Sequence, residues 1–150
     1  MAHSYVSSLH HCVFSTKERH PFLTKNVRDR LFPYLGGIAR ESGIATYSFN
    51  GVEDHVHLLI GMPGALPLSK GMQILKANSS KWIHETFAGL KGFRWQEGYG
   101  AFSIGVGQVE TTIAYIQGQE ERHKKQSFQE EYHNFLVKHG FKWSAEEALG

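Results

Sequence analysis

The chain has 150 residues, 41% hydrophobic and 13% aromatic, with a formal net charge of +2. This composition predicts one globular domain over residues 1–150 with a modest core, and the slight basic excess permits a polyanionic partner. The single Cys12 excludes an internal disulfide and a cysteine-based zinc site, and the absence of long apolar runs and of a signal-like N-terminus leads us to expect a cytoplasmic protein without a membrane span.

The first half of the chain predicts strand, helix, strand, strand. Rough alternation of apolar and polar residues predicts a strand at about residues 5–15. A helix is expected after an Asn26 cap, with Gly43 as its stop signal, because apolar residues recur at three-to-four spacing. Those residues are Val27, Leu31, Leu35 and Ile38. The segments "IATYSFNGV" and "HVHLLIGM", separated by "ED", predict a short hairpin.

The second half predicts a helix, a strand and further helices. Amphipathic spacing from Leu68 indicates the helix, and "FRWQEGYGAFSIGV" can contain a fourth strand. Two C-terminal helices follow, the second beginning at Ser127 with Glu130 placed for a capping box. This order predicts an α+β, ferredoxin-like βαββαβ antiparallel sheet with helices on one face plus the added C-terminal helices. A fold of this kind does not itself indicate a function.

Candidate metal ligands lie in "GVEDHVHLLIGMP". Side chains alternate across a strand, so His55 and His57 share one face while Val56 and Leu58 share the other. With the apolar face packed under the helices, both imidazoles would lie on the open side and could converge on one divalent ion. Two histidines that simply fill a half-buried strand are an equally acceptable explanation of the spacing.

A second candidate group lies in "ETTIAYIQGQEERH". Tyr115 and Gln119 are four residues apart and would share one helix face, with His123 a further turn along. A phenol and an amide oxygen could then reach the metal together. Periodicity alone also fits a core tyrosine with a solvated glutamine beside it. Tyr34 and Tyr99 lack such a partner one turn away, and we expect a core position and a turn for them.

These segments resemble the single-tyrosine HUH-endonuclease transposases, a family of small insertion-sequence and REP-associated enzymes. "DHVHLLI" is similar to the His-hydrophobic-His motif and "AYIQGQEERHKKQSF" to the tyrosine helix. "HHCVFSTKERHPFLT", "SSKWI" and "WQEGYGAFSI" also resemble family segments, in the same order. One departure is visible, because the family often has two adjacent histidines where this chain has Arg122 and His123.

The resemblance implies the chemistry. His55, His57 and Gln119 would bind Mg²⁺ or Mn²⁺, and Tyr115 would attack single-stranded or hairpin DNA to form a 5′-phosphotyrosine link that a 3′-hydroxyl can reverse. One tyrosine per chain also implies a homodimer, with composite active sites if the tyrosine helix docks on the partner. Basic residues near aromatics or in loops are candidate DNA contacts, although each also fits a solvated surface. They are Lys17, Arg19, Lys76, Lys81 and Arg94.

Two other functions stay open at this point. The domain could bind hairpin DNA or repress its own gene while cleaving little, or it could be a histidine-metal phosphohydrolase with water as the nucleophile. The latter would be indifferent to Tyr115.

Overall fold

The computed structural model describes residues 3–141. In chain order it contains β1 (Leu9–Ser15), α1 (Lys25–Glu41), β2 (Ala45–Gly51), β3 (His55–Gly61), α2 (Leu68–Thr86), β4 (Gly100–Ile104), α3 (Val109–Gln117), α4 (Gln119–Arg122) and α5 (Phe128–Lys138). The sheet has the order β2-β3-β1-β4, and every adjacent pair is antiparallel. The predicted ferredoxin-like α+β fold is therefore confirmed.

The sheet is covered on both faces. One face packs on α1 and α2 through alternate residues of β1 and β3, among them Cys12, Phe14, Val56 and Leu58. The opposite face packs on α5 through a smaller cluster of Val13, Phe102, Phe128 and Tyr132. The strand register places Val13 opposite His57 and Ser15 opposite His55, so the two histidines belong to the second face.

Several element boundaries differ from the predicted ones. The first strand begins at Leu9, and α1 begins after Thr24 and continues through Pro33. The segment expected to form one tyrosine helix is divided at Gly118, which ends α3 before α4 begins. The capping box of α5 forms as expected, because Ser127 accepts a hydrogen bond from the Glu130 amide. No helix within residues 3–141 is long and apolar enough to cross a bilayer.

Candidate active site

The two histidines of β3 lie beneath the C-terminal helices. His55 and His57 have no exposed surface. Their rings lie on one face of the strand as expected, but that face is not open, because α5 packs on it and sets Phe128 against the His55 ring at 4.5 Å between centroids. That the added helices cover this face could not be predicted, since alternation within a strand does not identify the element that packs on it.

In both histidines, the ring nitrogen Nδ1 contacts a neighbouring side chain. His55 Nδ1 lies 2.7 Å from Asp54 Oδ1, and His57 Nδ1 lies 2.8 Å from His11 Nε2. His11 comes from β1, where it is the diagonal neighbour of His57 across the antiparallel pair. Partners of this kind fix the orientation of a ring and determine which nitrogen is left to face the site. Here Nε2 of both histidines faces α5.

A carboxylate from α5 is the centre of the cluster. Glu131 is only 1% exposed. Its Oε1 lies 2.9 Å from His57 Nε2, 3.1 Å from His123 Nε2 and 3.3 Å from His55 Nε2. These four donor atoms all lie within 4.8 Å of one another, a grouping that could hold a metal ion. Three imidazoles and one carboxylate therefore converge from β3, α5 and the residue after α4.

Tyr115 lies beside this cluster in the same chain. Its ring centroid is 5.8 Å from that of His57, and its hydroxyl donates a hydrogen bond to Glu131 Oε2. Arg122 covers the ring, with Cζ 3.7 Å from the centroid. The position that departs from the usual pair of histidines thus packs its guanidinium on the tyrosine, while His123 joins the cluster.

The pKa values of the two histidines are shifted in opposite directions. Burial lowers the pKa of His57 to about 4. Burial also acts to lower the pKa of His55, but its bonds to Asp54 and Glu131 outweigh burial and raise it. We attribute the opposite directions to Asp54, a carboxylate bonded to His55 Nδ1, whereas His57 Nδ1 contacts the His11 ring.

The same contacts act on the carboxylate and the phenol. Burial would raise the pKa of Glu131, yet hydrogen bonds from His123, His55 and His57 keep it well below its usual range. Burial and then the charge of Glu131 raise the pKa of Tyr115, so the phenol stays protonated in this arrangement. A nucleophilic tyrosine here needs a nearby cation.

Gln119 offers a further oxygen. The residue is fully buried at the start of α4, and its Nε2 lies 3.4 Å from the Tyr115 carbonyl oxygen and 3.5 Å from Glu131 Oε2. Among the described residues, its Oε1 is a buried polar atom without a hydrogen-bond partner. Because an unpaired buried polar atom is costly, this oxygen fits a site that takes a cation. Imidazole nitrogens with amide and carboxylate oxygens are an acceptable donor set for Mn²⁺ or Mg²⁺.

The helix that contains Tyr115, α3, is hydrogen-bonded to strand β2 of the same chain. Asn50 of β2 donates hydrogen bonds to the carbonyl oxygens of Ile116 and Gln117, at 3.0 and 3.3 Å. The Gln117 amide donates to Ser48 Oγ at 2.7 Å. The fully buried Ile116 adds apolar contact. These bonds set Tyr115 over the histidines of the same chain.

Space remains around the tyrosine. One cavity of about 280 Å³ is lined by Tyr115, Glu131 and Lys138, among others. A second, of about 400 Å³, lies on the His11 side of Tyr115 and includes Lys138 again. A ligand can therefore approach the phenol past a lysine.

The candidate DNA contacts fall into two sets in the structure. Lys17, Lys76 and Arg94 line one groove of about 480 Å³ between α2 and residues 94–99, together with Trp95 and Tyr99. The donors of Lys76 Nζ are used by backbone groups in this groove. They bond to the carbonyl oxygens of Gln96, Glu97 and Gly98 at 2.7, 3.4 and 2.8 Å. We call the surface lined by Lys17, Arg94 and Tyr99 the basic groove.

The other two candidates lie outside the basic groove. Arg19 lies 3.4 Å from the Gln129 side chain of α5 and has a positive φ of 58°. Lys81 is exposed on α2. Three of the five candidate cations therefore line this groove, and Arg19 and Lys81 are not among its lining residues.

Three residues of the site were missed in the sequence. Asp54 directly precedes the first histidine, and His11 lies in the first strand. Glu131 could have been identified from the sequence. Helical periodicity places Phe128, Tyr132 and Phe135 on the apolar face of α5, and the charged Glu131 lies on that same face. A carboxylate at such a position needs a partner, and here the partners are the histidines.

Comparison with known proteins indicates the family of the chain. Residues 4–119 match the family model described as "Transposase IS200 like". A curated relative, the ISDra2 transposase TnpA of Deinococcus radiodurans, is 26% identical over 124 residues, which is 79% of this chain and 89% of the relative.

Two solved structures are similar. A crystal structure of a transposase from Deinococcus radiodurans aligns with a TM-score of 0.65 and 26% identity, covering 79% of this chain and 96% of that one. A REP-associated tyrosine transposase bound to a REP hairpin aligns with a TM-score of 0.59 over 97% of this chain and 90% of that one. At 14% identity the second likeness shows a shared fold.

Proposed function

The chain belongs to the IS200-like transposase family, and we propose that it cleaves and rejoins single-stranded DNA in a metal-dependent reaction through a 5′-phosphotyrosine intermediate. The observation that carries the proposal is the contact between Tyr115 and the histidine cluster, made through Glu131 within one chain. A tyrosine with a merely structural role would not need three imidazoles, a carboxylate and an unpaired amide oxygen around it.

His55, His57 and Gln119 would hold a divalent ion, Mg²⁺ or Mn²⁺. Support comes from the Nε2 atoms of the histidines, which face one point, and from the unpartnered Oε1 of Gln119. When bound, such an ion polarises a phosphate oxygen and stabilises the charge of the transferring phosphoryl group.

The residues of the chain account for the steps of strand transfer. Tyr115 Oη forms a bond to the phosphorus of the scissile phosphate, the bond from phosphorus to the 3′-oxygen breaks, the phenol loses its proton and the leaving oxygen gains one. Arg122 holds the face of the ring, which keeps the oxygen directed at the cluster. Lys138, which lines both cavities beside Tyr115, is placed to attract phosphate. Attack by another 3′-hydroxyl on the phosphotyrosine reverses the step.

The DNA partner is single-stranded or folded into a hairpin. The structural neighbour that binds a REP hairpin supports a hairpin substrate for this chain. The basic groove supports contacts with both backbone and bases, because cations and an aromatic ring line it together. Arg19 and Lys81 would contact phosphates further along, and the reaction would take place in the cytoplasm.

Strand exchange at two ends requires two tyrosines, so we propose a homodimer. The hydrogen bonds between β2 and α3 support sites assembled within each chain, without a tyrosine helix from the partner.

The test is covalent capture. Wild-type protein incubated with a hairpin carrying a single-stranded flank and Mn²⁺ should give a denaturant-resistant adduct that maps to the peptide containing Tyr115. Tyr115→Phe should still bind the hairpin but give neither adduct nor cleavage. Tyr34→Phe, on the far face of the sheet, is the matched control and should form the adduct normally.

The result separates the candidate functions. Cleavage by Tyr115→Phe would indicate water as the nucleophile and a metal-dependent hydrolase. Tight hairpin binding by the wild type with no adduct and no cleavage in either metal would indicate a binding protein or autorepressor.

A further inference from the structure

We propose that Glu131 is itself a metal ligand and that its second oxygen positions the Tyr115 hydroxyl beside the metal. The inference rests on the proposed function and adds a residue to that site. Glu131 lies on α5, beyond residues 4–119 that match the family model. The carboxylate therefore comes from a part of the chain that the family match does not include.

The distances fit a shared ligand shell. Neighbouring ligands on a six-coordinate divalent ion with bonds of about 2.1 Å are about 3 Å apart. Glu131 Oε1 lies 2.9, 3.1 and 3.3 Å from Nε2 of His57, His123 and His55. The carboxylate oxygen is thus at ligand separation from all three imidazoles, and the four atoms lie within 4.8 Å of one another.

Charge also favours a cation here. Glu131 is almost completely buried, and within the described part of the chain the groups at hydrogen-bond distance from it are three imidazoles, the phenol of Tyr115 and the amide of Gln119. A buried carboxylate without full compensation is strongly unfavourable, and a divalent ion supplies that compensation. The addition of a charged oxygen to two imidazoles also makes the site better suited to hard ions such as Mg²⁺ and Mn²⁺.

The two oxygens of Glu131 have different partners. Oε1 faces the imidazoles, whereas Oε2 accepts the hydrogen bond from Tyr115 and lies 3.5 Å from Gln119 Nε2. One side chain therefore joins the metal position to the nucleophile. Glu131 is buried, so its side chain has little freedom to move. It would therefore hold the phenol oxygen close to a bound ion and to a phosphate that the ion contacts.

The experiment measures metal binding without DNA. Mn²⁺ titrations of the full chain, followed by electron paramagnetic resonance of the free ion, are compared for wild type, Glu131→Gln and Glu130→Gln. Glu130 is the matched control, since it precedes Glu131 on α5, loses the same charge and is exposed. We expect Glu131→Gln to weaken Mn²⁺ binding about 10-fold or more, the range for altered metal sites, and Glu130→Gln to bind as wild type.

His57→Ala distinguishes failure of this inference from failure of the proposed site. Loss of Mn²⁺ binding in His57→Ala with unchanged or tighter binding in Glu131→Gln would overturn the role of Glu131 alone. Unchanged binding in both variants would overturn the histidine site and, with it, the proposed function. If Glu131→Gln shows no cooperative thermal unfolding, Glu131→Asp is used, and its shorter side chain should also weaken binding; wild-type affinity in that variant would overturn the inference.

The positioning role has its own readout. With Mn²⁺ at saturating concentration, Glu131→Gln should reduce the rate of adduct formation at Tyr115 while hairpin affinity stays within about 2-fold of wild type. A wild-type adduct rate under those conditions would show that Tyr115 is placed without Glu131.

Discussion

His11 Nε2 lies 2.8 Å from His57 Nδ1, a contact between two fully or nearly fully buried rings on adjacent strands. Burial lowers the pKa of His11 to about 3, so this ring is neutral over the working pH range. For His57 Nε2 to bind a metal, the ring proton must be on Nδ1, and His11 Nε2 is placed to accept it. His11 thereby selects the tautomer of its neighbour.

We predict that His11→Leu weakens Mn²⁺ binding about 10-fold, because the proton on His57 Nδ1 loses its acceptor. His11→Gln places an amide near the lost ring nitrogen and should restore part of the affinity. The check is Mn²⁺ titration together with ¹⁵N chemical shifts of the His57 ring, which report the tautomer. His10→Leu is the control, since the His10 ring is bonded to Ser8 instead. Wild-type affinity in His11→Leu would remove this role.

The fold was predictable because its signals are local. Alternation, helical spacing and turn residues gave the order of strands and helices, and the common face of His55 and His57 followed from strand geometry alone. The helix break at Gly118 was harder to predict, since an isolated glycine inside a helical pattern is often tolerated. Its consequence is that Gln119 begins a new helix instead of continuing the turn above Tyr115.

The rest of the site depends on tertiary contacts. Glu131 is 74 positions from His57 and His11 is 46 positions away. Neither pairing follows from spacing in one element. The same limit applies to Lys76, where proximity to an aromatic residue suggested a phosphate contact. Its ammonium instead donates to three backbone carbonyls, which only the conformation of residues 96–98 creates.

Complementation tests whether each active site is built within one chain. Tyr115→Phe and His57→Ala, co-expressed with different tags and purified as a mixed dimer, should give no cleavage or adduct, because neither chain contains both groups. The hydrogen bonds from Asn50 to the end of α3 are the physical reason. A wild-type chain paired with Tyr115→Phe is the control and should form adduct.

A cleaving mixed dimer would mean that the tyrosine helix is exchanged between partners. Sedimentation of the wild type should show a dimer at micromolar concentration. A fully active monomer would contradict the homodimer.

The basic groove should contribute to DNA affinity. Lys17→Ala and Arg94→Ala should each weaken binding of a hairpin with a single-stranded flank, and each should reduce the slope of log affinity against log salt by about 0.7 for a lost phosphate contact. Fluorescence anisotropy at several salt concentrations measures both effects.

Lys25→Ala is the control for the groove variants, because this lysine pairs with Asp29 at 2.8 Å on α1. An equal loss of affinity in Lys25→Ala and Arg94→Ala would mean that the groove is not a specific contact surface. We expect the control to bind within about 2-fold of wild type.

The buried Oε1 of Gln119 has no hydrogen-bond partner among residues 3–141. Gln119→Glu places a second carboxylate close to Glu131, whose Oε2 lies 3.5 Å from the present amide nitrogen. Without metal, the like charges should lower the melting temperature. With Mn²⁺, the added charge should bind the ion more tightly, so the rise in melting temperature on metal addition should exceed that of wild type.

Gln119→Leu should behave in the opposite way. It removes the unpaired oxygen together with two long amide contacts of 3.4 and 3.5 Å, so the metal-free melting temperature should stay near that of wild type. The response to Mn²⁺ should shrink because an oxygen ligand is lost. Gln117→Leu is the matched control, since its amide is bonded to Ser48 and its response to Mn²⁺ should be unchanged. If Gln119→Leu responds to Mn²⁺ as fully as wild type, Gln119 is not a ligand, and the metal would be held by the histidines and Glu131 without it.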